Sequence, residues 1–150
     1  MTSTTNTVAP SHLAAASWEL DDIAKLLLRV TLGGLMLLHG IAKLQGGIDS
    51  ILGDVAGAGL PPALAYGVYV GEVVAPLLLI AGVWTRAAAW VIVINMVIAV
   101  ALVHGADLRS LSRNGGWALE LQAFYLSMAL AIALLGSGRI AVGTAHGSWN

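Results

Sequence analysis

The chain has 150 residues, seven Lys and Arg against eight Asp and Glu, and a formal net charge of −1. Apolar residues make up 58% and charged residues 10%, with a mean hydropathy of +0.85. Soluble domains are about a quarter charged, so a water-soluble domain is not expected. No long basic run is present, which removes the electrostatic footprint of a nucleic-acid binder. The absence of cysteine excludes disulfides, thiol relays, iron–sulfur clusters and Cys-ligated zinc. A small integral membrane protein remains.

Residues 1–17 are mostly small and polar, with neither a basic n-region nor a long apolar h-region. No cleaved signal peptide is expected, and residues 1–22 read as a flexible tail. Asp21 and Asp22 suit a helix N-terminus, where carboxylates complement free N–H groups. A membrane span takes roughly 20 mainly apolar residues. Four segments qualify, at about 23–44, 62–84, 87–104 and 117–138. Lipid satisfies no exposed backbone polar group, so each of these runs is predicted to be helical. The predicted fold is all-α, an integral membrane antiparallel four-helix bundle over residues 23–139.

The connections agree with this division. Residues 45–61 are rich in Gly and Asp and predict a loop carrying one short interfacial helix. Val83–Arg86 predicts a very tight turn between neighbouring antiparallel helices. Residues 106–116 form a polar loop ending in a glycine pair, and residues 140–150 read as a short exposed tail. Lys25, Arg86 and Arg139 fall on one side of the membrane and Lys43, Arg109 and Arg113 on the other. Positive charge sets topology and is nearly balanced here. The expected location is the cell membrane, multi-pass, with both termini cytoplasmic.

The few charges within the spans carry the functional signal. Arg29, Gly33, Met36, Gly40 and Lys43 follow helical spacing and mark one stripe of the first span. Basic groups and glycines on a single stripe predict a face turned toward protein, with the glycines admitting a neighbouring backbone. Snorkelling to the interface is the bland alternative for Arg29 and Lys43. Glu72 lies about ten residues from either end of the second span, where an unpaired carboxylate costs at least a few kcal/mol. It either pairs with a basic group, Arg29 being nearest in expected depth, or stays protonated. Pro76 frees the Glu72 carbonyl and predicts a bend there.

With helices alternating in direction, His39, Lys43, His104 and Glu120 gather at one membrane face. Glu72 and Arg29 then lie deeper, which predicts a polar funnel. Haem between His39 and His104 is sterically feasible but disfavoured, since neither has a paired carrier on another span. No metal site is expected, and no phosphate-cradling loop or catalytic serine motif is present.

These residues stand in a familiar order. Arg29-x3-Gly33 leads to His39-Gly40-x2-Lys43, followed by Gly59-Leu60-Pro61 and Gly71-Glu72 with Pro76. Gly82-x2-Thr85-Arg86, Asn114-Gly115-Gly116 with Glu120, and Leu135-Gly136-x-Gly138-Arg139 complete the series. Over residues 26–142 the chain resembles the DoxX family, small four-helix membrane proteins related to the DoxD-type subunit of thiosulfate:quinone oxidoreductase. The resemblance implies a membrane subunit associated with redox chemistry, with quinone as its small-molecule partner and no intrinsic cofactor.

It assigns no catalytic residue. The candidates for a ligand or proton pathway are Arg29, His39, Lys43, Glu72, His104 and Glu120. Arg29 or Lys43 would donate to a quinone oxygen, Glu72 would position the base or relay a proton, and His39 and Glu120 would connect to water. Electrons would come from a redox partner protein. Two other readings stand beside this one: a non-catalytic scaffold that recruits a soluble redox or stress-response enzyme, and a small-molecule or proton carrier. Small-residue stripes also leave room for a homo-oligomer.

Overall fold

The computed structural model describes residues 11–143, 147, 149 and 150, with side chains from residue 19 onward. Among those residues helices are the regular elements, joined by turns and loops, with an isolated antiparallel bridge between Leu111 and Trp117. Helix α1 runs Ser11–Gly46, and a short helix α2 spans Asp49–Gly57 within the first connection. Helix α3 occupies Pro62–Ala81, α4 Thr85–Leu102 and α5 Glu120–Leu135. The start of α1 therefore lies ahead of the expected 23, because Leu13–Ala16 and Trp18–Leu20 contain no helix breaker. The expected tail residues 1–10 lie outside the described residues.

Three of these helices are long and apolar enough to cross a membrane: Glu19–Gly46, Pro62–Ala81 and Thr85–Leu102. The fourth expected span is shorter than its sequence pattern suggests. Gly136, at φ 80°, ends α5, and at the other end Glu120 Oε1 accepts a 2.9 Å hydrogen bond from the Trp117 N–H. That local cap holds residues 117–119 in a turn, leaving a 16-residue helix about 24 Å long at 1.5 Å per residue.

Helix α1 packs on α3 and α5, and α3 and α5 both pack on α4. The shared core contains Leu32 and Met36 from α1, Leu79 from α3, Ile92 and Met96 from α4, and Tyr125, Ala129 and Ile132 from α5. A smaller cluster joins Ile48 and Val55 to Ala65, Tyr69 and Leu102, tying the α2 loop to the same end as the finish of α4. The outward faces are apolar: Leu27, Leu38, Ile94, Phe124 and Leu134 all stand at least half exposed. Contiguous exposed apolar surface of this extent fits a lipid bilayer.

The predicted stripe of α1 is the face that packs. Arg29, Gly33, Met36 and Gly40 are buried, while Val30, Leu35, Leu38 and Ile41 point outward. A Cβ on Gly33 would sit 2.6 Å from Ile80 Cγ1 and 3.0 Å from the Pro76 carbonyl. One on Gly40 would collide with the Glu72 carbonyl and lie 2.7 Å from Val73 Cγ2. Pro76 supplies no N–H to that carbonyl, and Val70–Val74 accordingly winds as a π-helical turn. The bend expected at Pro76 takes this form, and the freed Glu72 carbonyl faces the bare backbone of Gly40.

The described part of residues 140–150 is not simply an exposed tail. The Val142 N–H donates to the Ala81 carbonyl at 2.9 Å, the Arg86 N–H to the Trp149 carbonyl at 3.0 Å, and the Thr85 N–H to Asn150 Oδ1 at 3.2 Å. A helix end leaves backbone groups unpaired, and the tight α3–α4 turn exposes two such ends together. The returning C-terminus satisfies both.

The α1–α3 contact predicts opposite outcomes at two neighbouring glycines. Gly40→Ala meets backbone that has nowhere to go and should lose about 1–3 kcal/mol in detergent unfolding titrations. Gly34, with open space where its Cβ would be, should accept alanine with no loss or a gain of up to about 1 kcal/mol.

Candidate functional site

The deepest acid does not meet the deepest base. Successive contacts set the register: Gly33 faces Pro76 and Ile80, and Gly40 faces Glu72. Arg29 is therefore level with Leu79–Gly82, about 16 Å along α1 from Gly40 at 1.5 Å per residue. The expected Arg29–Glu72 pair does not form. Instead the Arg29 guanidinium donates through Nη1 to the Leu79 carbonyl at 3.3 Å and through Nη2 to the Ile140 carbonyl. It is fully buried, over Gly82. A cation there complements the negative end of the α3 dipole. It also fastens the returning C-terminal segment.

Glu72 takes Lys43 as its partner. Lys43 Nζ donates to Glu72 Oε2, with the acid's side chain 7% exposed and the lysine's 26%. Lys43 lies in the last turn of α1, and its flexible stem carries the ammonium to the carboxylate. The Tyr69 hydroxyl donates to the Lys43 carbonyl at 3.4 Å, from one turn before Glu72 on α3.

Tyr125 contacts His39. Its side chain is buried within electrostatic reach of Glu72. Its hydroxyl is 3.4 Å from His39 Nε2, at the long end of hydrogen bonding, and the two rings meet edge to face with centroids 5.9 Å apart. His39 itself is exposed. The sequence of groups runs from an exposed imidazole through a buried phenol toward a buried carboxylate and its ammonium. Groups of these types accept, hold and release protons.

His104 and Glu120 stand apart from this cluster. His104 Nδ1 lies 3.2 Å from Asp107 Oδ2 within the loop after α4, and Glu120 is occupied in capping Trp117. Of the six candidates, the structure brings His39, Lys43 and Glu72 to one locus. Arg29 is at the opposite end, and His104 and Glu120 serve local turns. Tyr125 is the residue that reading the charges alone passes over. Its signal was available as a phenol three residues after Gln122, on the same helical face.

Breaking a buried ion pair strands the other charge and typically costs about 3–5 kcal/mol. Lys43→Met and Glu72→Leu should each approach that loss in detergent unfolding. The double variant should be less damaged than either single one, and strictly additive losses would show that the two groups do not stabilise each other.

Comparison with known proteins accords with this architecture. The DoxX family model matches residues 24–105, which runs from within α1 through the end of α4 and includes Arg29 and the Lys43–Glu72 pair. The match stops short of Tyr125 and α5. A protein of Haemophilus influenzae, described only as an uncharacterized protein, is 33% identical over 118 residues, covering 77% of this chain and 84% of the relative. No solved structure matches the chain. By the family match across α1–α4 and the extent of that likeness, this membrane protein belongs to the DoxX family.

Proposed function

We propose that this protein is a redox-associated membrane subunit in which Lys43, Glu72, Tyr125 and His39 engage a quinone head group. One observation carries the reading: a carboxylate is kept inside the helices beside an ammonium and a phenol, with an imidazole leading outward. In lipid such groups are costly and tend to mark substrate or proton pathways. A structural role for the ion pair alone leaves the adjoining Tyr125–His39 contact unexplained.

The donor set fits a quinone. Bound, such a molecule supplies two-electron, two-proton chemistry. Its flat head needs hydrogen bonds to oxygen at membrane depth, and the Lys43 ammonium offers more donors than Glu72 uses. Glu72 fixes the ammonium's position and holds negative charge beside it. Tyr125 and His39 provide hydrogen-bonding groups between this site and the exposed surface. Electrons arrive from a redox partner protein.

In this reading α1, α3, α4 and α5 cross the membrane as an antiparallel four-helix bundle over 23–139. The terminal end faces the cytoplasm. Counting Arg29 at that end gives it four basic residues (Lys25, Arg29, Arg86 and Arg139) against three at the other. A scaffold role is the rival, and the exposure of Arg109 and Arg113 in the loop before α5 favours it.

Mass spectrometry of lipids and proteins retained after mild purification separates the two. The quinone reading expects co-purifying quinone, reduced several-fold by Lys43→Ala or Glu72→Gln and kept by Arg29→Lys, whose cation stays at the far end. Wild-type protein that holds no quinone but captures a soluble enzyme, with capture lost in Arg109→Ala and Arg113→Ala, would establish the scaffold instead.

A further inference from the structure

Among the described residues, five buried side-chain nitrogen or oxygen atoms have no hydrogen-bond partner: Arg29 Nε, Thr85 Oγ1, Arg86 Nε, Asn95 Nδ2 and Gln122 Oε1. The first three belong to the α3–α4 turn and its surroundings, where the C-terminal segment returns. The last two stand elsewhere. Asn95 is in the middle of α4, against α3, and Gln122 is in the first turn of α5, the helix that carries Tyr125.

Asn95 has been given room at a specific place. Its side chain packs against the bare backbone of Gly71, where a Cβ would lie 2.6 Å from Asn95 Oδ1 and 2.7 Å from its Cβ. Gly71 directly precedes Glu72, so the carboxamide is level with the Lys43–Glu72 pair. Gln122 and Tyr125, three residues apart on α5, share a helical face, and Tyr125 is within electrostatic reach of Glu72. An unmatched donor on α4 thus lies level with the ion pair, and an unmatched acceptor on α5 stands one turn from Tyr125.

Neither atom has an inexpensive alternative. Burying an amide group without a partner is unfavourable, and lipid offers it nothing. An apolar side chain such as leucine at either position would remove that deficit. A polar atom that weakens the fold where an apolar one would strengthen it points to a use outside the fold.

We propose that Asn95 and Gln122 are hydrogen-bonding contacts for the ligand head beside Lys43–Glu72. Asn95 Nδ2 donates to a ring carbonyl, and Gln122 Oε1 accepts from a ring hydroxyl. The pairing suits a molecule that presents carbonyl oxygen when oxidised and hydroxyl when reduced. The assignment rests on the quinone reading above and adds to it two positioning residues, one on α4 and one on α5. It concerns binding alone, with no bond made or broken by either amide.

The test compares stability with binding in the full chain. Detergent-purified wild type, Asn95→Leu, Gln122→Leu and Lys43→Ala are melted and titrated calorimetrically with decylubiquinone. The expected result is a melting temperature in Asn95→Leu equal to or above that of wild type, with affinity about tenfold weaker. Gln122→Leu should behave similarly toward the reduced form, decylubiquinol, which keeps the proposal testable if Asn95→Leu misfolds. Both leucine variants binding both forms as wild type does, while Lys43→Ala has lost binding, would overturn this inference and leave the quinone reading standing. Wild type that binds neither form would remove both.

Discussion

A carboxylate held among apolar helices requires a compensating cation, and the rest of this site is arranged around how Glu72 obtains one. The nearest backbone position on α1 is Gly40, whose missing side chain lets α3 approach until the freed Glu72 carbonyl touches its neighbour. That close approach fixes the register between the two helices. Register in turn decides which base is within reach: Lys43, three residues further on and one turn nearer the helix end. Enlarging Gly40 would act on the ion pair without touching either charge.

The π-helical turn at Val70–Val74 belongs to the same arrangement. Proline at 76 cannot donate to the Glu72 carbonyl in the α-helical pattern. Widening the turn presents Gly71 to Asn95 and Glu72 to α1 at adjacent positions. Two close contacts, on α1 and on α4, thereby originate from two consecutive residues of α3. The backbone irregularity and the concentration of polar side chains occur at the same level of the molecule, as expected where a local departure from regular geometry serves a site.

Much of this was legible in the sequence, and the reasons are physical. Helical spacing of Arg29, Gly33, Met36, Gly40 and Lys43 reports which face of α1 is buried, because spacing is a property of a single helix. The Val83–Arg86 turn and the short helix in residues 45–61 were readable for the same reason, as local chain chemistry. Which base meets Glu72 was not readable. Depth counted from span ends placed Arg29 closest, but side-chain partners depend on the stagger between two helices, and stagger is set by the Gly40–Glu72 contact. Asn95 and Gln122 were hard to weigh for a related reason. An amide on an apolar helix is unremarkable until its neighbours are known to offer it nothing. The contacts of Val142, Trp149 and Asn150 with the α3–α4 turn have no periodic signal at all, since they are hydrogen bonds to main-chain groups of that turn.

The two intramembrane cations show why residue type and location go together. Arg29 spreads several donors across a rigid plane, so one side chain reaches the Leu79 carbonyl on α3 and the Ile140 carbonyl on the returning segment at once. Two carbonyls on separate segments are well matched by a cation whose donors are fixed in one plane. Lys43 has a compact ammonium on a flexible stem, partly exposed, beside the Glu72 carboxylate. A site that must admit a ligand oxygen or change its protonation gains from that mobility. A guanidinium in the same place would hold Glu72 in a fixed two-point grip and resist such exchange. The fold thus uses its rigid, many-donor cation to close one end and its adaptable cation at the end where acid, phenol and imidazole meet, which is the division of labour expected if chemistry occurs at only one of them.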